Sequence, residues 1–258
     1  MKATLTAFAA LFFTCNILCA QNIRFVTSGS IEFQKSVNIY AIIKKMYGND
    51  MNGFLQQAFD QYKKTQPQFK ILKSTLAFGD NKTLFTPIAP ENTNGSFFNL
   101  QMTDQNNIVY ADMTNNTSTI QKLVFEQTFL LKDSIRKIKW KITDETRDIA
   151  GYPCRRANGL VLDSIYVVAF YTDKIPISGG PESFSGLPGM ILQVALPHEN
   201  ISWLATKVNE TTVPADVIIP PKKGKVLDNK QLLNTLQSVF KNRGDASQIN
   251  FILKSYLL

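Results

Sequence analysis

The chain has 258 residues, 44% of them hydrophobic, and a formal charge of +8, a length that suits one domain with a substantial core. Its single histidine and three cysteines are too few for a zinc site built on His and Cys, and they remove most Ser or Cys nucleophile chemistry that relies on a His base. The basic excess would suit an acidic partner, but the basic residues are dispersed and the densest run, Lys222, Lys223 and Lys225, follows two prolines in a predicted loop, so no nucleic-acid partner is expected.

At the N-terminus, Lys2, an apolar stretch over 7–18 and small Ala20 before Gln21 read as a secretory signal peptide over 1–20, leaving a single domain over 21–258. No later segment approaches the roughly 18 apolar residues of a membrane span. The mature protein is therefore expected to be exported, periplasmic or extracellular, and not transmembrane. Cys19 offers a competing lipoprotein anchor, which Leu18 before it fits poorly. Cleavage after Ala20 leaves Cys154 as the one mature cysteine, so no intramolecular disulfide is available and the thiol reads as a small buried apolar group.

Residues 23–35 read as a strand broken near Gly29, and 36–47 fit neither the strand nor the helix period cleanly. Asp50 is placed to cap a helix over 50–64, in which Met51, Phe54, Leu55, Ala58, Phe59 and Tyr62 recur at helical spacing; it is expected to lie on a sheet. From Phe69 the period becomes two. Antiparallel strands are expected at 69–78, 83–88, 107–113, 119–131, 135–143, 164–172, 189–196 and 201–208, about eight in all. Leu123, Phe125, Phe129 and Leu131 alternate with polar residues, and Ile138, Trp140 and Ile142 alternate with Lys137, Lys139 and Lys141. With Asp133 and Ser134 between them these runs predict a hairpin, its lysine row exposed to discourage edge pairing.

The stretch 174–189, KIPISGGPESFSGLPG, is dense in Gly and Pro and must be an ordered series of turns between two buried strands. It carries Ile175, Pro176, Gly180 and Pro181, and then Gly186, Leu187, Pro188 and Gly189. Together with Asp148 to Cys154 (DIAGYPC) and Tyr166, this run resembles the GLPGLI family of secreted proteins from Bacteroidetes, with Met190 where the family motif has Leu. The resemblance is specific over 148–196. It implies an exported protein and a topology but no active site, because the family has no established reaction; the loop itself is expected to be structural, with Leu187 buried.

Toward the C-terminus Asp228 and Gln231 fit a capping box, Leu232, Leu233, Leu236, Val239 and Phe240 form an apolar stripe, and Gly244 stands where a C-terminal cap belongs; the last residues suit a further short helix. The fold expected is mainly β (α+β), a curved antiparallel sheet or half-barrel with two or three packed amphipathic helices. Such an architecture resembles the open half-barrels of periplasmic lipoprotein carriers, with Trp140, Tyr166, Phe170 and Trp203 as candidates to line an apolar cleft. The function expected is that of an exported non-enzymatic cell-envelope protein, binding a protein partner or an apolar ligand in support of outer-membrane transport. No cofactor or metal is expected. The alternative is a secreted hydrolase using carboxylates near the loop, Asp173 and Glu182.

Overall fold

The computed structural model describes residues 25–48, 51–90, 98, 103–104, 107–124, 126–241 and 246–258. The signal segment, Cys19, Asp50, Phe125 and Gly244 lie outside these. In chain order the described elements are β1 (Gly29–Asn38), α1 (Ile39–Tyr47), α2 (Gly53–Thr65), β2 (Phe69–Gly79), β3 (Lys82–Pro87), β4 (Asn107–Asp112), β5 (Thr117–Val124) and β6 (Gln127–Ser134). They continue with β7 (Lys139–Ile149), β8 (Tyr152–Val161), β9 (Ile165–Thr172), β10 (Met190–Leu196), β11 (Ile201–Asn209), β12 (Lys225–Leu227), α3 (Asn229–Phe240) and α4 (Ala246–Leu257). The strands form one open sheet in the order β12-β6-β5-β4-β3-β2-β1-β11-β10-β9-β8-β7. Every neighbouring pair runs antiparallel except β12, which lies parallel to β6.

The mainly β class with packed helices is therefore present, with twelve strands in place of the expected eight. The ambiguous 36–47 stretch changes period at Asn38, whose side chain accepts from the Ala41 amide and starts α1. Before it Phe33 and Val37 are buried at period two; after it Ile39, Ile42 and Ile43 are buried at helical spacing. The run expected as one strand over 119–131 is two, β5 and β6, paired with each other. The predicted 123–142 hairpin does not exist. β6 lies beside the β12 edge and β7 is the opposite edge of the sheet, so 135–138 cross between the two ends, and the real hairpin partner of β7 is β8. The facing of β5 is also corrected: Ile120, Lys122 and Val124 are buried while Leu123 is 41% exposed. The lysine row Lys137, Lys139 and Lys141 is exposed along edge strand β7 and its approach, where it blocks further strand addition.

Strong curvature brings distant strands together. In a flat sheet β3 and β10 would stand about 19 Å apart, four strand spacings, yet a Cβ built on Gly179 would lie 2.7 Å from Thr83 Cγ2 and 3.5 Å from Met190 Cε. The concave face holds the main core, to which β1 to β11 contribute. α2 lies chiefly on α1 rather than directly on the sheet as expected. Phe59 packs with Ile42, Ile43, Val37 and Phe98 in a second, smaller core, and Phe54 stays 70% exposed. At α3 the capping box of Asp228 and Gln231 is complete, and Leu232, Leu236 and Phe240 are buried.

Candidate functional site

The 173–189 segment leaves β9, folds into the concavity and returns as β10. Ile175, Ile177, Phe184 and Leu187 are buried, whereas Pro176, Gly186 and Pro188 face solvent. The loop satisfies its own backbone through tight turns, Ile177 N to Ile175 O, Gly179 N to Ile177 O and Gly189 N to Leu187 O, each 2.8 Å. It is tied outward by Met190 N to Ile175 O at 3.0 Å, Ile191 N to Gly179 O at 2.8 Å and Val26 N to Lys174 O at 2.8 Å. Trp140 on edge strand β7 donates its indole N–H to Ser185 O at 2.9 Å, which fastens the sheet edge to the plug. Gly189 has φ +149 and sits so close to β9 that a Cβ there would lie 2.1 Å from Thr172 O; Gly186 has φ +93 with only Trp140 nearby. Gly180 and Pro181 are buried against Ile191 and Phe184.

The four aromatics proposed for one cleft are distributed. Trp203 is on the concave face, its ring 5.6 Å from Phe184. Tyr166 and Phe170 lie on the outer face of β9, where the Tyr166 hydroxyl bonds Asn158 at 3.1 Å and the Arg147 guanidinium covers Phe170 at 4.2 Å. Trp140 is at the edge. Asp173 is exposed beside Lys174, while Glu182 is enclosed and accepts from Asn107 Nδ2 at 2.9 Å; one is in solvent and the other inside. Cys154 is buried, its thiol donating to Tyr152 O at 3.4 Å, and burial pushes its pKa up to about 12. His198 is exposed on the turn after β10 near Tyr166, so thiol and imidazole are not brought together. Among the described residues no group of three His, Cys, Asp or Glu is placed to hold a metal, and no helix is long and apolar enough to cross a membrane.

The concave face also holds charges that the sequence reading did not single out. Lys35 is 4% exposed on the inward row of β1 with Ile31, Phe33 and Val37. It faces Trp203 across the β1–β11 pair and places its ammonium 5.1 Å from that ring. Lys122 is 4% exposed between Ile120 and Val124 and donates to Tyr256 O at 2.6 Å. Arg136, on the 135–138 crossing, donates to Leu257 O. Burial holds the Lys35 pKa below its ordinary value and pushes Lys122 down to about 8, with Glu182 pulling both back up. Alternation was the available signal: Lys35 and Lys122 are each in phase with apolar neighbours on their strands.

Known proteins bear on the fold first. PNGF-II, solved in two crystal forms, superposes at a TM-score of 0.50 in each, with 18% identity over 81% of this chain in one form and 17% over 88% in the other. The match takes in 33% of PNGF-II, so the chain spans about a third of that protein's length, and at this identity the likeness is one of fold alone. An uncharacterized conserved protein from Thermus thermophilus overlaps at a TM-score of 0.38 and 7% identity, over 79% of this chain and 91% of that one, which is too loose to bear on the argument. A family model described as a protein of unknown function, Porph_ging, matches residues 159–193, the end of β8 through β9 and the plug into β10; this is consistent with a Bacteroidetes family. No curated protein matches the chain.

Proposed function

We propose that this is an exported, non-enzymatic cell-envelope protein of the GLPGLI type that binds a protein partner through its outer surface. The observation that carries this reading is the filled concavity: the small, partly open spaces beside α4 and beside the plug measure about 10 and 20 Å³, against the several hundred Å³ that a small-molecule pocket requires. Neither of these spaces among the described residues is large enough for an apolar ligand as the interior now stands, which favours the protein-partner version of the function. The large concavity, about 700 Å³, is an open groove on the outer side, where Leu130 and Lys132 of β6, Pro220, Pro221 and Val226 form the walls. Val226 and Ile219 stand 59% and 51% exposed near it. Outer-membrane transport remains the setting proposed for the partner, and the carboxylate hydrolase loses support because Asp173 and Glu182 do not face one cleft.

Affinity capture from the native envelope, with cross-linking, tests the reading. The parent should retain a partner that Val226→Asp or Ile219→Asp, both at exposed positions, loses, and the intact mass of the exported protein should begin at Gln21. Co-purified acyl chains on lipid extraction would overturn the filled-interior argument. A diacylglycerol on Cys19 would replace the soluble form by an anchored one, and turnover abolished by Asp173→Asn would overturn the non-enzymatic reading.

A further inference from the structure

Inside the half-barrel three cations share one chief opposing carboxylate without pairing with it, and Asp104 adds a weaker pull on Lys35. Glu182 is the chief opposing charge for Lys35, Lys122 and Arg136, yet among the described residues none of the three forms an ion pair with it. The acceptors they do have are backbone carbonyls: Asp104 O for Lys35 at 3.4 Å, and the last-turn carbonyls of α4, Tyr256 and Leu257, for Lys122 and Arg136. A guanidinium fork and two ammonium groups carry several more donors than these acceptors use. Arg136 NH1 is shielded from solvent and has no acceptor among the described residues, and Ser185 Oγ is in the same condition. Both residues line the same void of about 20 Å³, together with Glu182. Glu182 itself holds a left-handed backbone, φ +52, while being 7% exposed. Such a conformation persists only where the surroundings enforce it.

We propose that this enclosed cluster is a binding site for inorganic hydrogen phosphate, and that the C-terminal turn of α4 occupies it in this structure as a displaceable stand-in. The end of a helix carries a partial negative charge on its unsatisfied carbonyls, and here that end is set on the buried Lys122 and the half-buried Arg136. An oxyanion supplies the missing acceptors with the bidentate geometry that a guanidinium prefers. Glu182 then selects among oxyanions. Its carboxylate repels a fully deprotonated anion but accepts the proton that inorganic phosphate keeps at neutral pH, whereas sulfate and carboxylates have no such proton to give. The void of about 20 Å³ reaches Arg136, Glu182 and Ser185 but neither Lys122 nor the α4 turn and is the size of a water, so phosphate bridges Arg136 and Lys122 only as the α4 turn withdraws from both. Lys122 and Arg136 would then exchange the Tyr256 and Leu257 carbonyls for phosphate oxygens.

The test uses the full mature chain, titrated calorimetrically with inorganic phosphate, sulfate and chloride at matched ionic strength and pH 7, alongside amide hydrogen exchange. The expected result is saturable phosphate binding, at least about tenfold weaker sulfate binding, and faster exchange across α4 when phosphate is bound. Arg136→Gln should weaken phosphate by about tenfold or more. Glu182→Gln, which keeps shape but removes the charge that repels a fully deprotonated anion and offers it an N–H donor, should bring sulfate and phosphate to similar affinity, so the idea stays testable even if the arginine variant fails to fold. No saturable phosphate heat, equal binding of sulfate by the parent, or phosphate binding untouched in folded Arg136→Gln would each overturn it. The outer groove lies on the other face of the sheet, so this site can fail while partner binding stands.

Discussion

Lys122→Met tests the electrostatics of the interior most directly. Burial lowers the ammonium from its ordinary 10.5 to about 8, so below pH 8 both folded and unfolded chains hold the proton and the folded state carries the full cost of enclosing it. Between pH 8 and 10.5 the unfolded chain binds more protons than the folded one, and stability rises with pH; above 10.5 both are neutral and the penalty is gone. The difference between 10.5 and about 8 is worth roughly 3 kcal/mol. Methionine keeps the apolar stem and removes the charge, but it strands the Tyr256 carbonyl that Lys122 contacts at 2.6 Å, which costs about 1–2 kcal/mol. The variant should therefore be more stable than the parent by about 1–2 kcal/mol at pH 7, and that margin should shrink and reverse toward pH 10. The assay is urea unfolding followed by the fluorescence of Trp140 and Trp203, read as variant minus parent at each pH. The subtraction matters because the raised Cys154 pKa, about 12 against an ordinary 9.0, makes the folded state bind more protons and lowers the stability of both proteins above pH 9. A variant less stable at pH 7, with a difference from the parent that does not change between pH 8 and 10, would refute the reasoning.

The two motif glycines should respond differently. Gly189→Ala drives a Cβ into the Thr172 carbonyl at 2.1 Å and should cost more than about 3 kcal/mol or prevent folding, while Gly186→Ala meets nothing closer than 3.5 Å and should cost about 1 kcal/mol from its positive φ alone; equal melting temperatures would contradict this. Trp140→Phe removes the bond to Ser185 O and should lose about 1 kcal/mol with faster amide exchange in β7, a change absent if the edge strand is held by packing alone. Cys154, buried with its pKa raised to about 12, should resist a thiol-alkylating reagent in the native protein at pH 8 and react fully in denaturant; native labelling on the time scale of a free thiol would show that the site opens.

Local pattern carried much of this protein. The period-two runs marked β2, β3, β4, β9, β10 and β11 to within a residue or two, the Asp228 and Gln231 box marked α3, and the Gly and Pro density of 174–189 marked an ordered loop. These succeed because alternation and capping are set by neighbours in the chain. The predicted hairpin failed for the complementary reason. Strands β6 and β7 are adjacent in sequence with turn residues between them, and nothing local says that the chain crosses from the strand beside one edge of a twelve-stranded sheet to the opposite edge. The facing of β5 failed with it, since whether Leu123 or Lys122 points inward depends on what fills the concavity. Aromatics on alternating strands cannot by themselves be assigned to one face, which is why Trp203 and Phe170 ended on opposite sides of the sheet. By itself the sequence determined the strands, the capped helix and the turn-rich motif, because these rest on contacts within a few residues. The tertiary structure alone makes the motif a plug, gathers Lys35, Lys122 and Arg136 near Glu182 without an ion pair, and lays the end of α4 over Lys122 and Arg136. Lys35, Lys122, Glu182 and the end of α4 are scores of positions apart, and only the curl of the sheet makes them neighbours.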